Sequence, residues 1–93
     1  MRTYEFTVIL KPNDEETVKG REVITHAFEE HGVQITKEED LGIKFLAYPI
    51  KKTDKGHYVY FELEAEPDTI AVLDRTFKLS TLVLKYLFVK KEK

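Results

Sequence analysis

The chain has 93 residues, no cysteine and a formal net charge of −2. The missing thiols exclude disulfide frameworks, thiolate metal sites and cysteine nucleophiles, and a chain of this length closes one core without them. With 42% hydrophobic and 34% charged residues it reads as one folded domain spanning residues 1–93, and its mild acidity leaves nucleic-acid contact to local basic patches.

The first segment, Arg2 to Leu10, alternates. Tyr4, Phe6, Val8 and Leu10 fall on one face and Thr3, Glu5, Thr7 and Ile9 on the other, the period of a half-buried strand. Lys11-Pro12-Asn13 ends it, because proline lacks the N–H a ladder needs. Asn13 or Asp14 then caps a helix whose acidic first turn suits the positive end of its dipole. Val18, Ile24, Ala27, Phe28 and His31 are its expected stripe, and Gly32 its stop.

A second strand begins at Val33 to Thr36, continues through a polar stretch and runs to Ile50, with a bulge or bend expected at Gly42. Pro49 puts this strand at a sheet edge. Lys51 to Gly56 is the expected hairpin tip, and His57 to Ala65 the third strand. There Val59, Phe61 and Leu63 oppose Tyr58, Tyr60, Glu62 and Glu64. Glu66-Pro67-Asp68 opens a second helix with Ile70, Leu73 and Phe77 on its buried side. Leu82 to Val89 is the fourth strand, and residues 90–93 are expected to fray.

The order βαββαβ predicts an α+β domain. Right-handed crossovers put both helices on one face of a four-stranded antiparallel sheet and leave the other face open. No apolar run approaches the ~20 residues of a membrane span. The opening Met1-Arg2-Thr3-Tyr4-Glu5-Phe6 lacks the uninterrupted apolar stretch of a secretion signal, so a cytoplasmic protein without membrane contact is expected.

Met1-Arg2-x-Tyr4-Glu5, Lys11-Pro12-Asn13, Leu41-Gly42 followed by Leu46-Ala47-Tyr48-Pro49-Ile50, Gly56-x-Tyr58 and Val83-x-Lys85 stand in order along almost the whole chain. Together they resemble the bacterial small-subunit ribosomal protein six family. The resemblance implies a ferredoxin-like fold and a place in the ribosome. It also implies binding to the central domain of small-subunit ribosomal RNA, with ribosomal protein eighteen as partner. Arg2 matches a family position near the RNA backbone. Lys44 stands where the family usually has arginine, and lysine keeps that charge without the planar two-pronged donor. Phe45 replaces a second frequent arginine. Tyr60 matches an aromatic position facing the partner protein.

The expected RNA-contacting cations are Arg2, Lys44, Lys51, Lys52 and Lys55, on the first strand and the hairpin, and Lys85, Lys90 and Lys91, on or after the fourth strand. The same lysines would serve an unbound protein as a solvated, self-protecting edge. Phe45, Tyr58, Tyr60, Glu62, Leu87 and Val89 are the expected protein-partner residues on the open face. Glu62 and Glu64 there argue against base stacking and for a basic protein neighbour.

No catalytic group is expected. There is no GxGxxG, P-loop or nucleophile elbow, and Ser80 is the only serine. An acylphosphatase of this topology needs an arginine in the loop held here by Lys11-Pro12-Asn13. His26, His31 and His57 lack metal-ligand spacing with an acidic third ligand, so neither metal nor cofactor is expected. The free protein is expected to be a monomer. The rival reading is a regulatory or ligand-binding domain of the same topology acting as a dimer.

Overall fold

The structure is a computed structural model that describes residues 2–91. The elements follow as β1 (Arg2–Leu10), α1 (Asp14–Glu30), β2 (Gln34–Ile50), β3 (Thr53–Ala65), α2 (Pro67–Lys78) and β4 (Val83–Lys90). The strands lie in the order β2-β3-β1-β4, antiparallel at every junction. The ferredoxin-like βαββαβ expectation therefore holds, with β2 on one edge and β4 on the other.

Alternation in β1 and β3 builds the core. Tyr4, Phe6, Val8 and Leu10 are buried, as are Val59, Phe61, Leu63 and Ala65. Phe6 sits at the centre, with its ring centroid 4.5 Å from Phe88, 5.4 Å from Phe77, 5.5 Å from Phe28 and 5.9 Å from Phe61.

Helix α1 starts where expected. The Asn13 side-chain oxygen accepts from the Glu15 N–H at 3.0 Å and the Glu16 N–H at 3.4 Å. Its buried side is Thr17, Gly20, Ile24, Ala27 and Phe28. Val18 is instead 57% exposed, one residue or about 100° off that stripe. Thr17 takes the inward position because its hydroxyl donates to the Lys11 carbonyl at 2.6 Å. His31 is an exposed C-cap rather than part of the stripe. A Cβ at position 20 would stand 3.0 Å from a Leu10 methyl, so glycine there lets the helix lie close on the end of β1.

In α2, Leu73 and Phe77 are buried and Ile70 packs against the core. The Tyr86 hydroxyl on β4 reaches both the Asp74 carboxylate, at 2.6 Å, and the Asp74 carbonyl, at 2.8 Å, fastening α2 to the sheet.

Two expected boundaries change. The hairpin tip is only Lys51-Lys52, both with positive φ (49° and 63°), the pattern of a two-residue type I′ turn; Thr53 to Gly56 already belong to β3. Lys90 lies within β4, and the Lys91 N–H donates to the Thr3 carbonyl at 2.9 Å, so these two are paired rather than frayed. Glu92 and Lys93 lie outside the described residues.

Candidate functional site

On the open sheet face the register sets side chains in rows. One row is Lys37, Glu62, Glu5 and Val89; the next is Glu39, Tyr60, Thr7 and Leu87; a third has Tyr58, Ile9 and Lys85. Leu87 is 60% exposed and Val89 46%. Five of the six residues expected on this face are therefore there: Tyr58, Tyr60, Glu62, Leu87 and Val89.

Phe45 is not. It pairs with Lys55, on the parity of His57 and Val59, and so points to the side of the sheet that carries the helices. There it is 75% exposed, with the Lys55 ammonium 4.9 Å from its ring centre. The cause is a second bulge. Each bulge adds one residue and flips the side-chain parity. One lies between Asp40 and Gly42, as expected, and another between Ile35 and Lys37, where the Thr36 hydroxyl donates to the Glu62 carbonyl. Two flips restore the original parity.

The centre of the face is electrostatically settled. Glu62 accepts from Lys91 at 3.1 Å and lies 3.9 Å from Lys37, and the Lys91 bond leads the effects that hold its carboxyl below the usual range. The Tyr60 hydroxyl donates to Glu62 at 3.2 Å. Desolvation, then the nearby Glu5 and Glu62, push that phenol up to about 12. Desolvation and the Asp74 hydrogen bond push Tyr86 up to about 12 as well. A raised phenol favours the folded state below pH 10, and the benefit drains away as pH climbs from 10 to about 12. The urea midpoint should fall across that window, and fall less in a Tyr60→Phe/Tyr86→Phe variant.

The expected cations regroup. Because β1 runs antiparallel to both neighbours, Lys85 lies beside Ile9 at the hairpin end, with Lys44, Lys51, Lys52 and Lys55. Arg2 lies at the opposite end, with Lys90 and Lys91. The Lys51 ammonium donates to the Val83 carbonyl at 3.2 Å, and Lys85 to the Tyr48 hydroxyl at 3.3 Å. These contacts carry the hairpin from β2 across the end of β1 to β4. Lys51, Lys78 and Lys85 line an open groove of about 460 Å³ there, between α2 and β4.

One cluster has no signal in the sequence. The Arg21 guanidinium of α1 bonds the carboxylates of Glu38 and Asp40 on β2, and Asp40 lies 2.7 Å from His57 Nε2 on β3. Burial works against ionisation of Asp40, but the His57 contact, the Gly42 N–H and the Arg21 charge outweigh it and hold that carboxyl low. These partners are 17 and 19 positions apart, a separation no local periodicity marks. The network straps α1 to the long hairpin. Among the described residues no three His, Asp or Glu side chains are grouped to hold a metal ion.

A four-stranded antiparallel sheet in the order β2-β3-β1-β4 with helices on one side and a mixed aromatic and charged face on the other is a ferredoxin-like domain. The profile of the family described as Ribosomal protein S6 matches residues 3–90. The small ribosomal subunit protein bS6 of Treponema denticola is 41% identical over 92 residues, covering 99% of both chains. That of Thermus thermophilus is 32% identical over 94 residues, covering 99% of this chain and 93% of the relative. Among solved structures, 30S ribosomal protein S6 from Thermotoga maritima superposes with a TM-score of 0.87 at 25% identity, over 97% of this chain and 87% of the other. The chain belongs to the ribosomal protein S6 family.

Proposed function

We propose that this protein is a structural component of the small ribosomal subunit, acting in the cytoplasm and catalysing nothing. It binds the central domain of the ribosomal RNA together with ribosomal protein eighteen. The observation that carries the reading is the segregation of charge along the sheet. Cations gather at the two ends of the sheet, with Lys44 and Lys85 on the open face and Arg2, Lys55 and Lys90 on the helix side, while Tyr60 and Leu87 occupy the middle of the open face in a row without lysine. Phosphates suit the ends, where each neutralised charge releases counterions. A protein partner suits the middle, since aromatic and aliphatic side chains dominate interface cores.

The partner needs less basicity than the raw count of carboxylates suggests. Glu62 is already matched by Lys37 and Lys91. Glu5 and Glu64 are the carboxylates beside it that a basic neighbour would meet.

The test is binding to a central-domain RNA fragment, with and without ribosomal protein eighteen, across a salt series. Weak binding alone and tighter, salt-sensitive binding with the partner are expected. Tyr60→Ala should weaken docking of the partner by about tenfold or more, the range of an aromatic hot spot, while shifting the melting temperature little. Absent or salt-independent binding overturns the reading. A homodimer in light scattering, with no RNA complex, replaces it with the regulatory-domain alternative.

A further inference from the structure

Four carboxylates of the open face gather about Tyr60. Glu5, Glu39, Glu62 and Glu64 lie in the Tyr60 row or beyond it, toward the end that carries Arg2. In the opposite direction the face changes character. Tyr58 has the Lys44 ammonium 5.6 Å from its ring centre, and Tyr48 has the Lys85 ammonium at 5.8 Å. Ile9 separates Tyr58 from Lys85 across two strand spacings, about 10 Å. Tyr48 is 58% exposed.

The floor between these rings is built flat. Gly56 lies on the same face, and a Cβ there would come within 2.2 Å of the Ile9 γ2 methyl. Only glycine lets β3 lie this close over Ile9. The Leu46 side chain closes the remaining side, 3.4 Å from that same point.

We infer that Tyr48 and Tyr58 form a stacking platform for unpaired nucleotides of an RNA strand, with Lys44 and Lys85 taking the adjacent phosphates. This rests on the RNA-binding reading above and adds which RNA chemistry the hairpin end takes. Aromatic rings over a basic groove are how single strands are held, because every base has a π-face and every nucleotide a phosphate. Both ammonium groups stand near the ~6 Å limit of cation–π attraction, on four-carbon stems. They swing to a phosphate and leave the ring faces to the bases. Glu5, Glu39, Glu62 and Glu64, which would repel such a strand, are displaced to the other rows, and Asp54, exposed on the parity of Gly56, is a carboxylate that remains at this end of the face.

A ten-nucleotide single-stranded oligoadenylate, titrated against a perfect RNA duplex of the same length, tests this. The single strand should bind more tightly, with ring-current shifts in the Tyr48 and Tyr58 resonances. Tyr48→Leu/Tyr58→Leu should lose on the order of tenfold or more in affinity, and Tyr60→Leu should lose nothing. Lys44→Gln/Lys85→Gln should lower the salt slope by roughly 1.4, as two single-strand phosphate contacts require. If the double leucine variant misfolds by circular dichroism, Tyr48→Leu alone decides, since that ring is exposed. Equal binding of duplex and single strand, or unchanged binding in the leucine variants, overturns the platform. So does binding that leaves the tyrosine resonances in place. A wild-type protein that joins the central-domain fragment but ignores oligoadenylate overturns the platform alone; failure on both RNAs removes the proposed function with it.

Discussion

Replacing Phe6 by alanine should destabilise the fold by about 3–5 kcal/mol, the range for truncating a buried phenylalanine. Phe6 is fully buried and its ring meets Phe28 of α1, Phe61 of β3, Phe77 of α2 and Phe88 of β4. Every layer of the domain therefore loses contacts at once, and neighbours anchored on four elements cannot collapse into the hole. For a domain of this size the loss corresponds to a fall in melting temperature of roughly 15–30 °C. Leu87→Ala, on the open face, is the control and should stay within about 0.5 kcal/mol. Equal falls would mean that Leu87 is held by something the free chain already contains.

The second large effect concerns the hairpin end and rests on the proposed function. Replacing Lys44, Lys52, Lys55 and Lys85 together by glutamine should lower the slope of log affinity against log salt by roughly three to four. Between 50 and 200 mM salt, that removes on the order of a hundredfold of the salt-dependent change in affinity. Lys51 is left in place because its ammonium holds the Val83 carbonyl and so shapes the hairpin. The opposite end should act separately. Arg2→Gln/Lys90→Gln should lower the slope by about two, added to the first effect. The eight steps from Arg2 to Leu10 separate the ends by about 26 Å, well beyond the ~10 Å screening length. An unchanged slope in the quadruple variant would move the RNA to the Arg2 end.

Much of this architecture is legible before any coordinates. Period-two alternation in β1 and β3 is strong because one face of each strand is buried without interruption, and the buried list for those strands is the one the alternation predicts. The cap at Asn13, the stripe of α2 and the edge position of β2 follow from residue chemistry that acts over a few positions. What escapes is whatever depends on register or on distant pairing. Two bulges in one strand cannot be counted from a polar stretch in which every residue is exposed, so Phe45 is misplaced by one parity flip. The grouping of Lys85 with the hairpin lysines depends on how far β4 slides along β1, which only the ladder reveals. Likewise, Glu62 and Glu64 look like an objection to base stacking when read along the chain. In the sheet they lie two and three rows away from Tyr58. The Arg21 network and the Lys85–Tyr48 contact join residues separated by 17 to 37 positions.

The Lys51-Lys52 turn has a kinetic consequence. Two lysines with positive φ make a poor starting point, because the left-handed conformation costs an L-residue roughly 1–2 kcal/mol where Asn-Gly would adopt it readily. The hairpin is therefore not expected to nucleate at its own turn. Pairing is expected to begin at the other end, where Ile35 meets Leu63 beside the core, and to zip outward past the three register shifts of this ladder. Opening in the native state runs in reverse, from the tip inward, while Phe6 and its neighbours stay packed. The tip is the last part of the chain to find its place and the first to leave it, so it can adjust to a partner at little expense to the rest.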